Sequence, residues 1–471
     1  GVGKSPSIPP PHPRTSRQTL TRALLLATLI SAFGSSFQYG YNLSVIDSPA
    51  KVRKISDFYR ELYQERNTIN IDQSLLMFQW GLTVLFFPLG GILGSLLVGP
   101  LVDGSGRKGT LLASSVMVIV SAVLMGCSKA IHSHEFIILG RLIVGTCAGI
   151  SFSVVPMYLT EMAPRNLRGT VGSVPYIFTV CGSLVAHLLS LPKLLGTEEG
   201  WPVLLSLTGV PALFEVATLP FFPESPRFLL IQRQDMQRAR QVLKQLRGWD
   251  DVEDELEELR QEDLAESTEK KMDVLKMLRC EELRWHLVTI VVLMAGQQLS
   301  GINAVSRHPG RVRTRVIDSS GRRMLLLVGN GVCGSACILT AIVNGPLIQA
   351  PLSVCSGPVT SVLISELFLQ TCRSTAFVIA GCTHWLCKFL IALTYLHIQA
   401  HIEPYSFLLF WPFCIATFTY ISKMIPETKG KTFLEIRRLV AIHQTRRILL
   451  RDLAELAGPP CSSSSLFAPE R

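Results

Sequence analysis

Charged residues are scarce in this sequence, and that scarcity limits the class of protein it can encode. Asp, Glu, Lys and Arg make up 17% of the 471 residues, whereas soluble domains average about 25%. The mean hydropathy is +0.35, and 48% of the residues are hydrophobic. These values exclude an ordinary soluble globular protein and predict a polytopic membrane protein.

Several signals of other protein classes are also absent. The 12 cysteines form no Cys-x-x-Cys pair and most lie inside apolar runs, which predicts buried thiols rather than a disulfide framework or a metal site. The basic, Pro-rich stretch 1–22 leads into an apolar run without a small-residue cleavage site, so we expect a cytoplasmic tail. We expect no cofactor, and we find no nucleophile and base that would indicate an enzyme.

The net charge of +10 raises the question of nucleic-acid binding. Lys and Arg instead lie in short clusters beside apolar runs, such as Arg107-Lys108 and Arg165 with Arg168. Clusters of this kind mark the cytoplasmic ends of membrane spans. We therefore expect the chain to contact membrane lipid and no nucleic acid.

The first half of the chain contains six apolar runs of about 20 residues, each long enough to cross about 30 Å of hydrocarbon. They cover 23–46, 76–100, 110–128, 135–159, 169–190 and 202–222. An even number of spans places both ends of this half on the cytoplasmic side, where the basic clusters lie. The connection 47–75 is then extracellular.

A charged stretch, 223–284, separates this half from the rest of the chain. Leu and Val at three- and four-residue spacing in Gln232–Leu246 and Val252–Leu264 predict two amphipathic surface helices. We therefore divide the chain into a cytoplasmic tail (1–22), a six-helix bundle (23–222), a cytoplasmic helical linker (223–284), a second bundle (285–425) and a cytoplasmic tail (426–471).

The second half contains five apolar runs rather than six, at 285–304, 324–345, 350–369, 375–399 and 404–425. Gly106-Arg107-Lys108 recurs as Gly321-Arg322-Arg323, but only about 35 residues after the start of the half instead of about 80. The strongly basic segment 306–320 stands in the gap, and no bilayer core would accept it. We therefore predict a truncated second bundle in which the eighth span of the repeated plan is missing.

Three neutral amides, Gln297, Gln298 and Asn303, follow the apolar run 287–295. On a helix they lie near one side, where an unpaired polar group facing lipid would cost roughly 2–7 kcal/mol. Two interpretations are open. The amides either line a cavity that suits a neutral polyol or form hydrogen bonds between helices.

Two spans end at the cytoplasmic side with a carboxylate and, seven residues later, an arginine. With the cations of neighbouring loops, these groups predict ion-pair latches that hold the cytoplasmic side shut; static anchors at the membrane surface are the alternative. The predicted latch residues are Arg107, Glu161, Arg168, Arg322, Glu366 and Arg373. No carboxylate lies in the middle of a span in this assignment, which predicts uncoupled transport without a proton or sodium site.

Several motifs together resemble those of a known family. Pro-Glu-Ser-Pro-Arg at 223–227, Gln-Gln-Leu-Ser-Gly-Ile-Asn at 297–303, Pro-Glu-Thr-Lys-Gly-Lys-Thr at 426–432 and the two Gly-Arg loops resemble the facilitated hexose transporters, sugar porters of the major facilitator superfamily. Phe37–Asn42 and His384-Trp385 resemble the fructose-type branch, solute carrier family 2 members 5 and 7. The resemblance implies an all-α fold of two helical bundles.

The resemblance also implies roles for single residues. Gln297, Gln298 and Asn303 would bond sugar hydroxyls, Tyr39 would line the cavity and Trp385 would lie beneath the sugar. His384 is either a ligand or a packed histidine. Tyr176 stands at a cavity position where the family has Gln.

Lys388 stands where the family has Asn. A lysine in mid-span costs roughly 2.5–3.5 kcal/mol unless it reaches water or a partner. Apart from the departure at Lys388, the resemblance implies facilitative hexose transport by alternating access. D-fructose is the first candidate substrate and D-glucose the second. The expected location is the plasma membrane, multi-pass, with both termini cytoplasmic. The alternative is a non-transporting membrane protein that derives from such a transporter and is defective through loss of the eighth span. The oligomeric state stays open.

Overall fold

The computed structural model describes residues 20–46, 49–68, 71–164, 166–191, 193–249, 251–267, 279, 281–299, 322–343, 356–368, 370–402 and 410–425. Within these residues every regular element is a helix, which confirms the all-α prediction.

Helices occupy all six runs predicted to span the membrane in the first half. In chain order the helices are α1 (Arg22–Ser44), α2 (Pro49–Asn67), α3 (Gln73–Cys127), α4 (Glu135–Met162), α5 (Arg168–Leu189) and α6 (Trp201–Phe221). A π-helical turn interrupts α1 at Ala32–Phe37. Except for α2, each of these helices is long and apolar enough to cross a membrane.

The helix α3 contains two spans. Its 55 residues would extend about 80 Å as one straight helix, more than twice the thickness of the hydrocarbon core. Gly106 breaks the helix with a φ of +79°. The break lies between the predicted runs 76–100 and 110–128, so α3 accounts for both of them.

The connection 47–75 contains a helix, α2, that the sequence did not predict. Phe58 and Tyr59 of α2 are buried, and the Tyr59 hydroxyl shares a hydrogen bond of 2.9 Å with that of Thr83. Arg66 forms an ion pair with Glu135 at the start of α4, at 2.6 Å. The connection therefore packs against the ends of the spans.

The linker contains both predicted amphipathic helices, α7 (Met236–Arg247) and α8 (Glu253–Ser267). Asp235 caps α7 by accepting a hydrogen bond from the backbone N–H of Arg238 at 3.0 Å, and Gly248 ends it in the left-handed conformation. The Arg247 guanidinium donates to the carbonyl of Met162 at 2.9 Å. This bond attaches the linker to the end of α4.

The described part of the second half contains five helices. They are α9 (Glu281–Leu299), α10 (Arg322–Val343), α11 (Ser356–Leu367), α12 (Gln370–Ile402) and α13 (Trp411–Met424). Each coincides with one of the five predicted runs. Residues 300–321, with Asn303 and the basic segment, lie outside the described residues, so the missing eighth span stays a prediction.

The two halves meet where α12 packs along the first part of α3. Gly91 of α3 faces the ring of Trp385, and a Cβ added at Gly91 would lie 2.1 Å from that ring. A Cβ added at Gly381 would lie 3.0 Å from the Cβ of Ser95. Glycines at these positions let the two helices approach closely enough to position the central residues.

Candidate functional site

A cavity of about 30 Å³ lies between α1, α4 and α5. Its wall includes Ser36, Tyr39, Phe152, Tyr176 and Thr179. The volume holds about two water molecules. Hydroxyl groups and aromatic rings thus share one small space, and three of the wall residues also contact the second half of the molecule.

The first of these contacts is an aromatic cluster around Trp385. The ring of Trp385 is fully buried and meets the rings of Tyr39 and Phe87 edge to face, with centroids 5.8 and 5.5 Å apart. Lys388 donates to the Tyr39 hydroxyl at 3.2 Å, and its Nζ lies 5.0 Å from the centroid of Trp385. The lysine that the sequence placed in mid-span therefore has a hydroxyl partner and two aromatic rings within cation–π distance.

The second contact joins α4 to α12 through His384. The imidazole packs on the ring of Phe152 with centroids 4.2 Å apart, and Gln298 Nε2 donates to His384 Nδ1 at 2.9 Å. An imidazole that accepts at Nδ1 carries its proton at Nε2 when it is neutral. Within the described part of the chain, His384 Nε2 and Trp385 Nε1 are buried N–H groups without a hydrogen-bond partner. Both are donors that a hydroxylated ligand could satisfy.

The remaining predicted binding residues have different outcomes. Gln297 is buried in α9 beside Gln298. Tyr176 of α5 shares a hydrogen bond with Ser361 of α11 and so links the two halves. Asn303 lies outside the described residues, and its role stays a prediction.

Two predicted latch residues form a buried ion pair at the end of α4 that faces the linker. Arg107 Nε lies 3.0 Å from Glu161 Oε2, and both side chains are fully buried. Ser225 of the linker donates to the same carboxylate at 2.5 Å. Arg373 of α12 reaches the other oxygen of Glu161 at 3.5 Å. The Glu161 carboxylate therefore joins the first half, the linker and the second half.

The linker motif supports this arrangement through a second carboxylate. Glu224 accepts the backbone N–H groups of Arg107 at 3.2 Å and Lys108 at 3.0 Å. Burial raises the pKa of Glu224, although the backbone N–H bonds from Ser225 and Lys108 and the Arg107 charge oppose the shift. A Cβ at Gly106 would lie 2.4 Å from Glu224 Oε2, so only glycine fits at this break in α3.

The other latch residues are less fully described. Arg168 is the first residue of α5. Arg322 and Glu366 lie in α10 and α11, but their side chains fall outside the described part of the structure. Their participation in a latch stays a prediction.

One buried carboxylate contradicts the prediction that no span carries such a group in its middle. Glu215 lies within α6 and is fully buried. It accepts hydrogen bonds of 2.8 Å from the hydroxyls of Ser35 in α1 and Ser115 in α3. The sequence signal for this carboxylate was a single Glu inside the run 202–222. The prediction overlooked it because the average hydropathy of the run is high.

Comparison with known proteins identifies the family. The family model described as "Sugar (and other) transporter" matches residues 27–314 and 311–440. Facilitated glucose transporter member 7 of solute carrier family 2 from Homo sapiens is 45% identical over 507 residues, covering 98% of each chain. Member 5 from Equus caballus is 45% identical over 464 residues, covering 89% of this chain and 92% of the relative.

The match to member 7 also bears on the shortened second half. It runs over 507 residues, more than the 471 residues of this chain. The relative therefore carries sequence that this chain lacks. This agrees with a missing segment, but the match does not show where the segment lies.

A solved structure supports the fold. The proton:xylose symporter XylE, a major facilitator superfamily protein, matches with a TM-score of 0.74 and 21% identity, covering 89% of this chain and all of that chain. XylE from E. coli in an inward-open conformation matches with a TM-score of 0.64. At this level of identity the likeness shows the fold, which is that of the major facilitator superfamily. Together with the family model and the relatives in solute carrier family 2, it shows that this chain is a membrane protein of the sugar transporter family.

Proposed function

We propose that this chain carries a hexose across the plasma membrane without coupling to an ion gradient, with D-fructose as the first substrate and D-glucose as the second. Relatives named facilitated glucose transporters, at 45% identity over nearly the whole chain, support transport of a small sugar. The choice of fructose rests on the resemblance of Phe37–Asn42 and His384-Trp385 to the fructose-type branch. No metal or cofactor is needed for such a passage.

The observation that carries the proposal is the meeting of neutral polar groups from both halves at the centre. His384, held by Gln298, and Trp385 present two buried N–H groups, and Tyr39 adds an aromatic face. A neutral sugar offers hydroxyls to the N–H donors and C–H faces to aromatic rings. Gln297 and Asn303 are the further amides proposed to bond the sugar.

Passage of a sugar requires the two halves to move apart around the central cavity. The cavity of about 30 Å³ is far smaller than the several hundred Å³ typical of ligand pockets. On the cytoplasmic side, Glu161 joins Arg107 and Arg373 across the two halves. We propose that these bonds are made when that side is closed and broken when it opens, with Arg168, Arg322 and Glu366 as further members.

The proposal includes the arrangement of the chain in the membrane. The basic residues beside α3 and α5 favour a cytoplasmic linker and cytoplasmic tails at 1–22 and 426–471. On this arrangement α2 lies outside the cell and the buried ion pairs lie inside. The boundaries of the two bundles at 23–222 and 285–425 belong to the same proposal.

The alternative of a non-transporting protein rests on the shortened second half with its basic segment 306–320 and on the departures from the family at Tyr176 and Lys388. The similarity to transporters extends over both halves, and the central contacts use residues of both. These observations favour transport over a scaffold that has lost its pathway.

Uptake into proteoliposomes tests the proposal. The purified chain would be reconstituted and supplied with labelled fructose or glucose, beside Gln298→Ala and, as a matched control, Gln73→Ala, whose amide is exposed at the start of α3. We expect saturable uptake that Gln298→Ala reduces at least tenfold, because His384 loses its hydrogen-bond donor, which corresponds to about 1.4 kcal/mol.

The control and the outcomes are distinct. Gln73→Ala should keep the uptake of the unaltered chain. A monodisperse, thermally stable protein without saturable uptake of either sugar would contradict transport and favour the non-transporting alternative. Accumulation of sugar above the outside concentration would contradict the uncoupled mechanism.

A further inference from the structure

Glu215 is a buried carboxyl group for which the transport pathway described above has no use. Its side chain is fully buried, and a Cβ added at Gly34 would lie 2.4 Å from its Cβ. Ser35 Oγ lies 2.9 and 2.8 Å from its two oxygens, and Ser115 Oγ lies 2.8 Å from Oε2. The carboxyl group thus joins α6 to α1 and to the second part of α3.

Within the described residues, no cation pairs with this carboxyl group. Charged or titratable groups on the surrounding helices are Arg22, Tyr39 and Tyr41 of α1, Asp103, Arg107, Lys108 and Cys127 of α3, and Glu135, Arg141, Cys147, Tyr158 and Glu161 of α4. Those nearest the cytoplasmic end are engaged elsewhere. Arg107 pairs with Glu161, Lys108 donates to the carbonyl of Pro220, and Tyr158 donates to that of Pro223. The buried Arg141 donates to the carbonyl of Asn42 at 3.0 Å.

A carboxylate in this position would be strongly disfavoured. Burying an ionised carboxyl group without a counter-charge costs so much that such groups normally take up a proton. Two serine hydroxyls are weaker stabilisers than a cation, because they are neutral donors. A protonated carboxyl group fits the same surroundings, since its O–H can donate to one serine while its other oxygen accepts from the second.

The site is connected to the transport centre through one turn of helix. Ser35 lies within the π-helical turn 32–37 of α1, and turns of this kind are frequent at functional sites. The next residue, Ser36, lines the central cavity together with Tyr39. A charge on Glu215 would draw water to this turn and disturb the helix that positions Tyr39.

We propose that Glu215 is a proton-binding site, occupied at neutral pH, whose proton keeps α1 packed against α6 and is required for transport. The inference deepens the proposed function, because it assigns that transport a dependence on pH. Loss of the proton at alkaline pH places a charge inside the first bundle, so both the stability of the bundle and the uptake of sugar should fall. Above the pH at which half of the Glu215 side chains are protonated, each further pH unit lowers the protonated fraction about tenfold.

Infrared spectroscopy detects the proton without relying on transport. A protonated carboxyl group has a C=O stretch that a carboxylate lacks, and exposed carboxyl groups are ionised at neutral pH. We expect this band in the unaltered chain at neutral pH, a loss of its intensity as the pH rises, and a weaker band in Glu215→Gln, to which the buried Glu224, whose pKa burial raises, can still contribute. The titration of the unaltered chain needs no variant, so poor folding of Glu215→Gln would not remove the test.

Stability and uptake provide the second measurement. The thermal unfolding midpoint and sugar uptake of the unaltered chain should both fall as the pH is raised, whereas those of Glu215→Gln should stay level, because an amide is isosteric and does not ionise. Glu199→Gln, the same change at an exposed residue, should keep the pH dependence of the unaltered chain.

The outcomes separate this inference from the proposed function. A chain that shows the band and the fall in stability, but takes up no sugar at any pH, would retain the proton site and contradict transport. Identical infrared spectra for the unaltered chain and a folded Glu215→Gln at neutral pH would overturn the proton site. So would equal pH profiles of stability and uptake for the two proteins.

Discussion

Glu161 is the residue at which the contacts of the proposed latch converge. Its carboxylate receives the Arg107 guanidinium at 3.0 Å, the Ser225 hydroxyl at 2.5 Å and the Arg373 guanidinium at 3.5 Å. In a buried pair each charge depends on the other, because neither reaches water. Removing one partner therefore costs more than the pair contributes when it is intact.

Glu161→Gln should destabilise the protein by about 3–5 kcal/mol, because the Arg107 charge is left buried without its counter-charge. The measurement is thermal or denaturant unfolding of the purified protein in detergent, together with uptake in proteoliposomes, which should fall. Glu253→Gln is the matched control. Its partner in an exposed ion pair is Arg240, at 3.0 Å, and such pairs contribute at most about 1 kcal/mol. Equal losses for the two variants would contradict the role of burial.

Single residues also mark the limit of prediction from sequence. The repeated acidic and basic motifs indicated Glu161, Arg107 and Arg373 as latch residues, and the structure brings these three together. The sequence did not reveal Glu215 or the partner of Lys388. Their contacts join residues far apart in the chain, such as Lys388 with Tyr39, and no local pattern encodes such a meeting.

At the scale of elements, α3 shows how a break converts one long helix into two spans. Gly106 has φ +79° and ψ −178°, a conformation that only glycine adopts readily. The break directs the backbone N–H groups of Arg107 and Lys108 to Glu224 of the linker. The shape of α3 and the attachment of the linker therefore depend on the same residue.

Gly106→Ala should destabilise the protein by about 1–3 kcal/mol from backbone strain alone, and the new Cβ would also press on Glu224. The measurement is the free energy of unfolding, with hydrogen exchange of the linker helices as a second observable. We expect faster exchange in α7. Gly104→Ala is the matched control, because a Cβ there meets nothing within 4 Å and alanine favours a helix by about 1 kcal/mol. Slower hydrogen exchange in α7 than in the unaltered chain, or a Gly106→Ala variant as stable as the unaltered chain, would contradict the role of Gly106.

The elements were largely predictable because their signals are local. Apolar runs of about 20 residues gave the spans, and leucine spacing gave α7 and α8. The helix α2 and the π-helical turn of α1 were not predicted. Buried residues such as Phe58 and Tyr59 stabilise α2 through contacts with other helices, and the turn at 32–37 packs against α6, so neither depends on hydropathy or spacing alone.

At the scale of the whole molecule, the two halves approach each other along α3 and α12. Gly91 accommodates the Trp385 ring, and Gly381 lies against Ser95. Contacts this close cannot persist if the halves rock apart at every cycle. The all-α superfamily fold was predictable from the motifs and the number of spans, but which helices touch across the interface was not, because hydropathy does not distinguish a lipid-facing side from a helix-facing side.

A reversible crosslink between the halves tests that motion. In the double variant Ser95→Cys and Gly381→Cys, the Cβ atoms would lie about 3.0 Å apart, slightly closer than in a typical disulfide, so a small shift would allow the bond. Oxidation should stop sugar uptake, because α3 and α12 can no longer separate, and a reducing agent should restore it. Each single variant, treated in the same way, controls for the other cysteines of the chain. Uptake that persists after complete crosslinking would mean that α3 and α12 stay together throughout transport, and the moving interface would then have to lie elsewhere between the two bundles.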